Sequence, residues 1–389
     1  MKLLETCFSK DIWEQVLLKA YDKTIPKHIV TYYCSPNARV QLLDHIVNGD
    51  YHIQPPKVVK IPKDNGDFRE IYVNNGTDRL FLAVINAALY RLHGDKVSTA
   101  CKAYMEGSQC GKTAREVAKQ RLCGYKLDLS KYFDTVPIEV INDAFSTLGI
   151  EGPIGNLLYE YYNTHLVIID GQETFRYKSL AQGCAVAAFL SNYILHDIDD
   201  KMLSMCPYYC RYSDDMVLLG DGADDAMPVL KDELSKIGLT LNPAKVEVVS
   251  PSREYKFLGF GIDGTKVVLS DKSFKEKKAE VRHAVKTRST LKGKIRAVQR
   301  VFLNFQEPTF SWLFVKSLGV TDLVKVQELD KYCKDTIRAS ITGSNNYTHN
   351  IRAIPNDVLR EAGYVSLVHL MKVAQTDRDL FKQEVKFID

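Results

Sequence analysis

The chain has 389 residues, of which 45% are hydrophobic and 26% charged, an ordinary globular balance that excludes a disordered or collagen-like chain. Its formal charge of +4, from 52 Lys and Arg against 48 Asp and Glu, is too small to identify a polyanionic partner by total alone. Roughly one domain per 100 to 200 residues predicts two or three domains.

In chain order, residues 1 to about 50 are predicted mostly helical, with Ile12, Val16 and Leu17, then Val40, Leu43, Ile46 and Val47, at helical spacing. Pro55-Pro56 breaks the chain. Val58 to Ile61 and Arg69 to Val73 then read as strands around a hairpin tip, Pro62-Lys63-Asp64-Asn65-Gly66-Asp67. A helix is expected over Asp78 to Leu92, a strand over Tyr125 to Leu129 and a helix over Pro137 to Leu148. Leu166 to Ile169 and Thr174 to Tyr177 predict a hairpin around Asp170-Gly171. One long helix is expected from Ala185 to Met202, and two strands over Tyr208 to Leu219 with a polar turn at Ser213-Asp214-Asp215. Helix Ala226 to Ile237 and strands Val246 to Ser250 and Phe257 to Ile262 follow.

No apolar run approaches the roughly 18 residues that a membrane helix needs, and Lys2, Glu5, Lys10 and Asp11 speak against a secretory signal. The cysteines include no Cys-x-x-Cys pair, and Cys206 and Cys210 have no His nearby. Reduced thiols are expected rather than zinc or disulfides. Together these features predict a cytoplasmic chain without membrane contact. Gly107 to Thr113 imitates a phosphate loop, but three residues separate its glycines where such a loop has four.

Between Asp271 and Arg300 eleven Lys or Arg face three Asp or Glu, a net +8. Alone, such a run is more often a solvated helix face. It also suits a nucleic-acid backbone, with Lys275, Lys278 and Arg282 as the candidate phosphate contacts.

Tyr212-Ser213-Asp214-Asp215 lies between apolar runs. Two adjacent carboxylates on a buried hairpin are costly unless a cation neutralises them, and a double Asp is poor turn chemistry. Asp128 ends a second apolar strand. Because Mg²⁺ takes few protein carboxylates and completes its shell with water and phosphate oxygens, Asp128, Asp214 and Asp215 suit two ions in an in-line phosphoryl displacement.

These segments, over roughly residues 57 to 262, resemble the reverse transcriptases in that family's order. Ile61-Pro62-Lys63 with Arg69-Glu70-Ile71 resembles the fingers hairpin that grips a triphosphate. Asp128 and Phe133 resemble the first palm motif, and Ala181-Gln182-Gly183 with Phe189-Leu190-Ser191-Asn192 the second. Tyr212 to Asp215 is similar to the tyrosine-x-Asp-Asp signature, Leu239 to Lys245 to the next motif, and Phe257-Leu258-Gly259-Phe260 to the primer grip.

The resemblance implies an α+β right-hand polymerase. N-terminal helices and fingers would occupy 1–123, the palm 124–262 with a fingers insertion at about 150–180, and a basic helical thumb with the C-terminal region 263–389. It implies synthesis of cDNA from dNTPs on an RNA template. Asp128, Asp214, Asp215 and Lys245 would be catalytic, Lys245 giving a proton to pyrophosphate. Mg²⁺, two ions with Mn²⁺ as a substitute, would sit on Asp128, Asp214, Asp215 and the Leu129 backbone. Lys63, Arg69, Phe133, Gln182, Gly183 and Tyr212 would bind substrate, Phe133 packing under the sugar to exclude a 2′-hydroxyl.

Where retroelement branches carry Ser-Pro in the second motif, this chain has Ala187-Ala188. With its compact length, that resembles the stand-alone bacterial defence and abortive-infection members, which implies a non-coding RNA template and an anti-phage role. The competing readings are a retron or group II intron-like enzyme, a viral-type RNA polymerase, and a catalytically inactive RNA-binding scaffold. Residues 311–389 have no assigned role beyond completing the thumb, contacting RNA or forming an oligomer.

Overall fold

A computed structural model describes residues 2–20, 25–63 and 66–388. The chain forms two compact units, one of Met1–Met105 with Leu127–Val246 and the other of Glu106–Lys126 with Glu247–Asp389. Among the described residues no helix is long and apolar enough to cross a membrane.

The first unit opens with four helices whose apolar faces bury Ile12, Trp13, Val16, Leu17, Val30 and Leu42. Trp13 stacks on Tyr33 with ring centroids 5.6 Å apart. The helix Gly76–His93 starts where Asn75 accepts a hydrogen bond from the Asp78 amide, and it buries Leu80, Phe81, Val84, Ile85 and Leu89.

Strands β1 (Lys57–Pro62) and β2 (Phe68–Val73) form the expected hairpin. Asp64 and Asn65, at its expected tip, lie outside the described residues. β3 (Gly124–Asp128) ends in this unit. β4 (Leu166–Ile169) and β5 (Gln172–Phe175) turn at Asp170-Gly171, whose φ angles are 52° and 83°. That left-handed pair matches strand twist in a two-residue loop. β4 adds parallel to β1, giving one sheet in the order β2-β1-β4-β5. β6 (Tyr208–Tyr212) and β7 (Asp215–Leu219) form the second hairpin.

The single helix expected over 185–202 is instead two, Val186–Tyr193 and His196–Met205. The break lies at Leu195, with φ −101° and ψ 5°. There His196 Nδ1 sits 2.6 Å from the Tyr193 carbonyl and the two rings stack.

In the second unit, β8 (Glu247–Val249) pairs with Gly124 to Lys126. β9 (Tyr255–Phe257), β10 (Phe260–Asp263) and β11 (Lys266–Leu269) form an antiparallel sheet. The one strand expected over 257–262 is therefore a hairpin, because Leu258 and Gly259 both take positive φ, 48° and 80°, and reverse the chain. The helix Cys110–Gln120 carries the rejected phosphate-loop sequence. A Cβ on Gly111 would lie 2.5 Å from the Gly319 amide nitrogen, so close backbone packing requires this glycine. Later helices bury Leu329, Cys333, Ile337, Leu370, Met371 and Phe381.

Candidate active site

The β6–β7 ladder closes at Tyr212↔Asp215, leaving Ser213 and Asp214 as the turn. Ser213 has φ 62°, a conformation that non-glycine residues seldom adopt. Arg211 supports it from beneath. Its Nη1 donates to the Ser213 carbonyl at 3.1 Å and to the Ser191 carbonyl at 3.3 Å, and Nη2 donates to the Asn192 carbonyl at 3.2 Å. The same guanidinium is paired with Asp199. Sequence reading missed this pair; its signal was one arginine inside an otherwise apolar strand, immediately before the Tyr-Ser-Asp-Asp run.

The end of β3 meets this turn through the main chain, where the Leu129 amide donates to the Asp214 carbonyl at 3.0 Å. The Asn242 amide donates to the Asp128 carbonyl at 2.8 Å, and the Asn242 side chain caps the short turn Pro243–Lys245. That turn brings Lys245 Nζ to 2.7 Å from Asp128 Oδ2. Asp128 is 7% exposed at its side chain and Lys245 56%. Burial opposes the Lys245 charge, but the hydrogen bond and attraction of Asp128, followed by Asp214 and Asp215, hold its ammonium above the usual lysine range. Three carboxylates thus act on one cation.

Among the described residues, no three His, Cys, Asp or Glu side chains gather into a ready-made metal cluster. Asp128 nevertheless already holds a cation, the Lys245 ammonium at 2.7 Å, a donor suited to a divalent ion that takes few protein oxygens.

Lys63 and Arg69 are exposed on the β1–β2 hairpin. Burial raises the Asp134 carboxyl while Lys63 and Arg69 act to lower it, so both cations lie within electrostatic reach of the residue after half-buried Phe133. The Tyr72 amide donates to the Gln182 carbonyl at 2.8 Å, joining the Gln182-Gly183 loop to β2. Gly183 has φ 109°, and a Cβ there would meet Ile71 Cγ2 at 2.7 Å and the Tyr72 carbonyl oxygen at 2.8 Å. The fold itself requires this glycine, which the family resemblance had implied only as a substrate-binding residue.

The second unit, taken by itself, carries Lys275, Lys278 and Arg282 on the helix Asp271–Ala284. Lys275 and Arg282 are exposed; Lys278 lies 4.5 Å over the Tyr332 ring. The basic run is less solvated than its sequence implied. Lys294 is buried and donates to the Val285 carbonyl at 2.6 Å and to Ser340 at 2.7 Å. Lys277 pairs with Glu280 at 2.7 Å and donates to the Val301 carbonyl at 3.1 Å.

Residues 61–262, more than half of the chain, match the family described as reverse transcriptase (RNA-dependent DNA polymerase). The chain belongs to this family. The α+β right-hand polymerase fold expected from the sequence accompanies that membership. Among relatives, the putative COX1/OXI3 intron 1 protein of Saccharomyces cerevisiae is 22% identical over 165 residues, 41% of this chain and 20% of the relative. Protein YkfC of Escherichia coli is 22% identical over 264 residues, 56% of this chain and 69% of that protein. The chain thus spans about a fifth of the yeast protein's length. Among solved structures, the Sicinivirus 3Dpol RNA-dependent RNA polymerase aligns with TM-score 0.49 and 11% identity, covering 88% of this chain and 70% of that one. Telomerase from Candida albicans with a fragment of telomeric RNA aligns with TM-score 0.43 and 11% identity, covering 84% and 65% respectively.

Proposed function

We propose that this reverse transcriptase family member is an active RNA-directed DNA polymerase. The observation that carries the reading is the approach of Lys245 to Asp128 beside the backbone junction of Leu129 with the Ser213-Asp214 turn. In the reaction the primer 3′-oxygen attacks the α-phosphorus of a dNTP, a new P–O bond forms and the bond to pyrophosphate breaks. Asp128, Asp214, Asp215 and the Leu129 carbonyl would hold divalent metal, the family's general cofactor, which when bound offsets the negative charge of the phosphates. Lys63 and Arg69 neutralise the triphosphate without reading a base. Lys245, kept protonated by its carboxylate neighbours, supplies the proton that leaves with pyrophosphate. Phe133 lies under the sugar. Gln182 and Tyr212 flank the nascent pair.

Our finer reading is a bacterial enzyme that copies a dedicated non-coding RNA in anti-phage defence. Its support is Ala187-Ala188 in the second motif. A retroelement-type enzyme is the second reading, favoured by the likeness to a yeast intron protein. Purifying the chain from its native host and sequencing bound RNA and DNA separately tests both. One dominant structured RNA with complementary DNA supports a dedicated template, intron RNA supports the second reading, and heterogeneous RNA without DNA counts against polymerisation in that setting.

A further inference from the structure

Tyr104 belongs to the first unit, in a segment fixed on both sides of the β6 edge. The Lys102 amide donates to the Arg211 carbonyl at 2.8 Å and the Arg211 amide to the Ala100 carbonyl at 3.0 Å. Asn192 Nδ2 donates to the Ala103 carbonyl at 2.8 Å. Immediately after these anchors Tyr104 takes φ 59°, the left-handed region that a bulky aromatic residue seldom adopts. Core burial does not explain this conformation, because the residue is 48% exposed. Strain at an exposed position beside reactive groups points to function.

The conformation places the ring at the carboxylate turn. Tyr104 Oη lies 3.4 Å from Ser213 Oγ. Its ring centroid is 6.5 Å from that of Phe133 at an interplanar angle of 78°, an edge-to-face contact. Partial burial raises the phenol above its ordinary value, the Ser213 bond opposes this, and Asp214 raises it further; the hydroxyl keeps its proton at neutral pH.

We propose that Tyr104 is a positioning residue for sugar selection: its ring braces Phe133 edge-on and its hydroxyl ties that brace to Ser213, making the wall against a 2′-hydroxyl two aromatic rings deep. The inference rests on the polymerase reading and adds to it a residue that fixes specificity. Without the brace, the Phe133 ring has room to tilt away from a ribose. Such a change removes neither a carboxylate nor a triphosphate cation.

The test is single-nucleotide extension of a DNA primer on a synthetic RNA template, comparing kcat/KM for dATP and ATP. Tyr104→Ala is expected to lower the dATP-to-ATP ratio about tenfold or more, the scale at which a few apolar contacts discriminate. Tyr104→Phe, which keeps the ring but loses the tie to Ser213, should lower the ratio by clearly less than Tyr104→Ala. An unchanged ratio in Tyr104→Ala overturns the proposal, including the case where both nucleotides lose activity equally, since a merely structural residue does that. A fall in Tyr104→Phe as large as in Tyr104→Ala also overturns the ring brace. Phe133→Ala must itself collapse the ratio; if it does not, there is no aromatic wall to brace. Failure of the wild-type chain to incorporate dATP overturns the polymerase reading, and this inference with it.

Discussion

Arg211 and Asp199 form an ion pair at 2.6 Å in which neither side chain has any solvent exposure. Arg211 Nε also bonds both carboxylate oxygens, at 2.8 and 3.0 Å, and the Tyr209 hydroxyl donates to Asp199 Oδ1 at 2.9 Å. Removing one partner of a buried pair strands the other charge and costs about 3–5 kcal/mol. Asp199→Ala is therefore expected to destabilise by about that amount in urea unfolding. A single-variant loss below about 1 kcal/mol would contradict this account.

Asp214 holds Leu129 through its main-chain carbonyl rather than its carboxylate, so shortening its side chain leaves that hydrogen bond intact. Asp214→Ala and Asp215→Ala are expected to lower nucleotide incorporation by about a hundredfold or more, the scale of losing one group that stabilises reaction charge. Circular dichroism should stay unchanged. Activity above about a tenth of wild type in both variants would remove these residues from the chemistry.

Lys275 and Arg282 are exposed and Lys278 is half-buried against Tyr332. Neutralising all three to Gln is expected to flatten the slope of log affinity against log salt by about two on a single-stranded RNA, from roughly 0.7 per phosphate contact. Filter binding over a salt series reads this. An unchanged slope returns the helix to a solvated face. Lys294→Gln should instead lower stability, because its ammonium is turned inward to Val285 and Ser340.

Local signals made much of the fold legible. Asp170-Gly171 marked its hairpin because both positions need positive φ, and the apolar strands around Tyr212 to Asp215 marked theirs. The break at Leu195 was hidden because apolar periodicity runs through it without Gly or Pro. Leu258-Gly259 was hidden by the apolar residues on both sides. Within the site, Asp128, Asp214 and Asp215 stood out as charges beside apolar runs, and Lys245 only through the resemblance. The Arg211–Asp199 pair, the Tyr104–Phe133 contact and the inward turn of Lys294 were not. Each depends on which segments the fold brings together; the lone arginine of β6 signals that a partner is needed, not that it is Asp199.

Lys316 tests the second unit by pH. Its Nζ donates to the Gly259 carbonyl at 2.8 Å and lies 4.4 Å over the Phe260 ring. Burial, with Lys256 nearby, lowers its ammonium from the ordinary 10.5 to about 8. Between those values the unfolded chain binds the more protons, so unfolding free energy rises with pH across the window. The stabilising contribution is complete above 10.5 and is lost as pH falls through about 8. Tyrosines and cysteines titrate in the same range, so the informative quantity is the difference from a variant that lacks only this ammonium. Lys316→Met keeps an apolar stem of similar length, and its stability should rise less steeply with pH than the wild type in urea unfolding between about pH 7 and 10.5. Parallel curves for the two proteins would show that Lys316 is as well solvated in the folded chain as in the unfolded one.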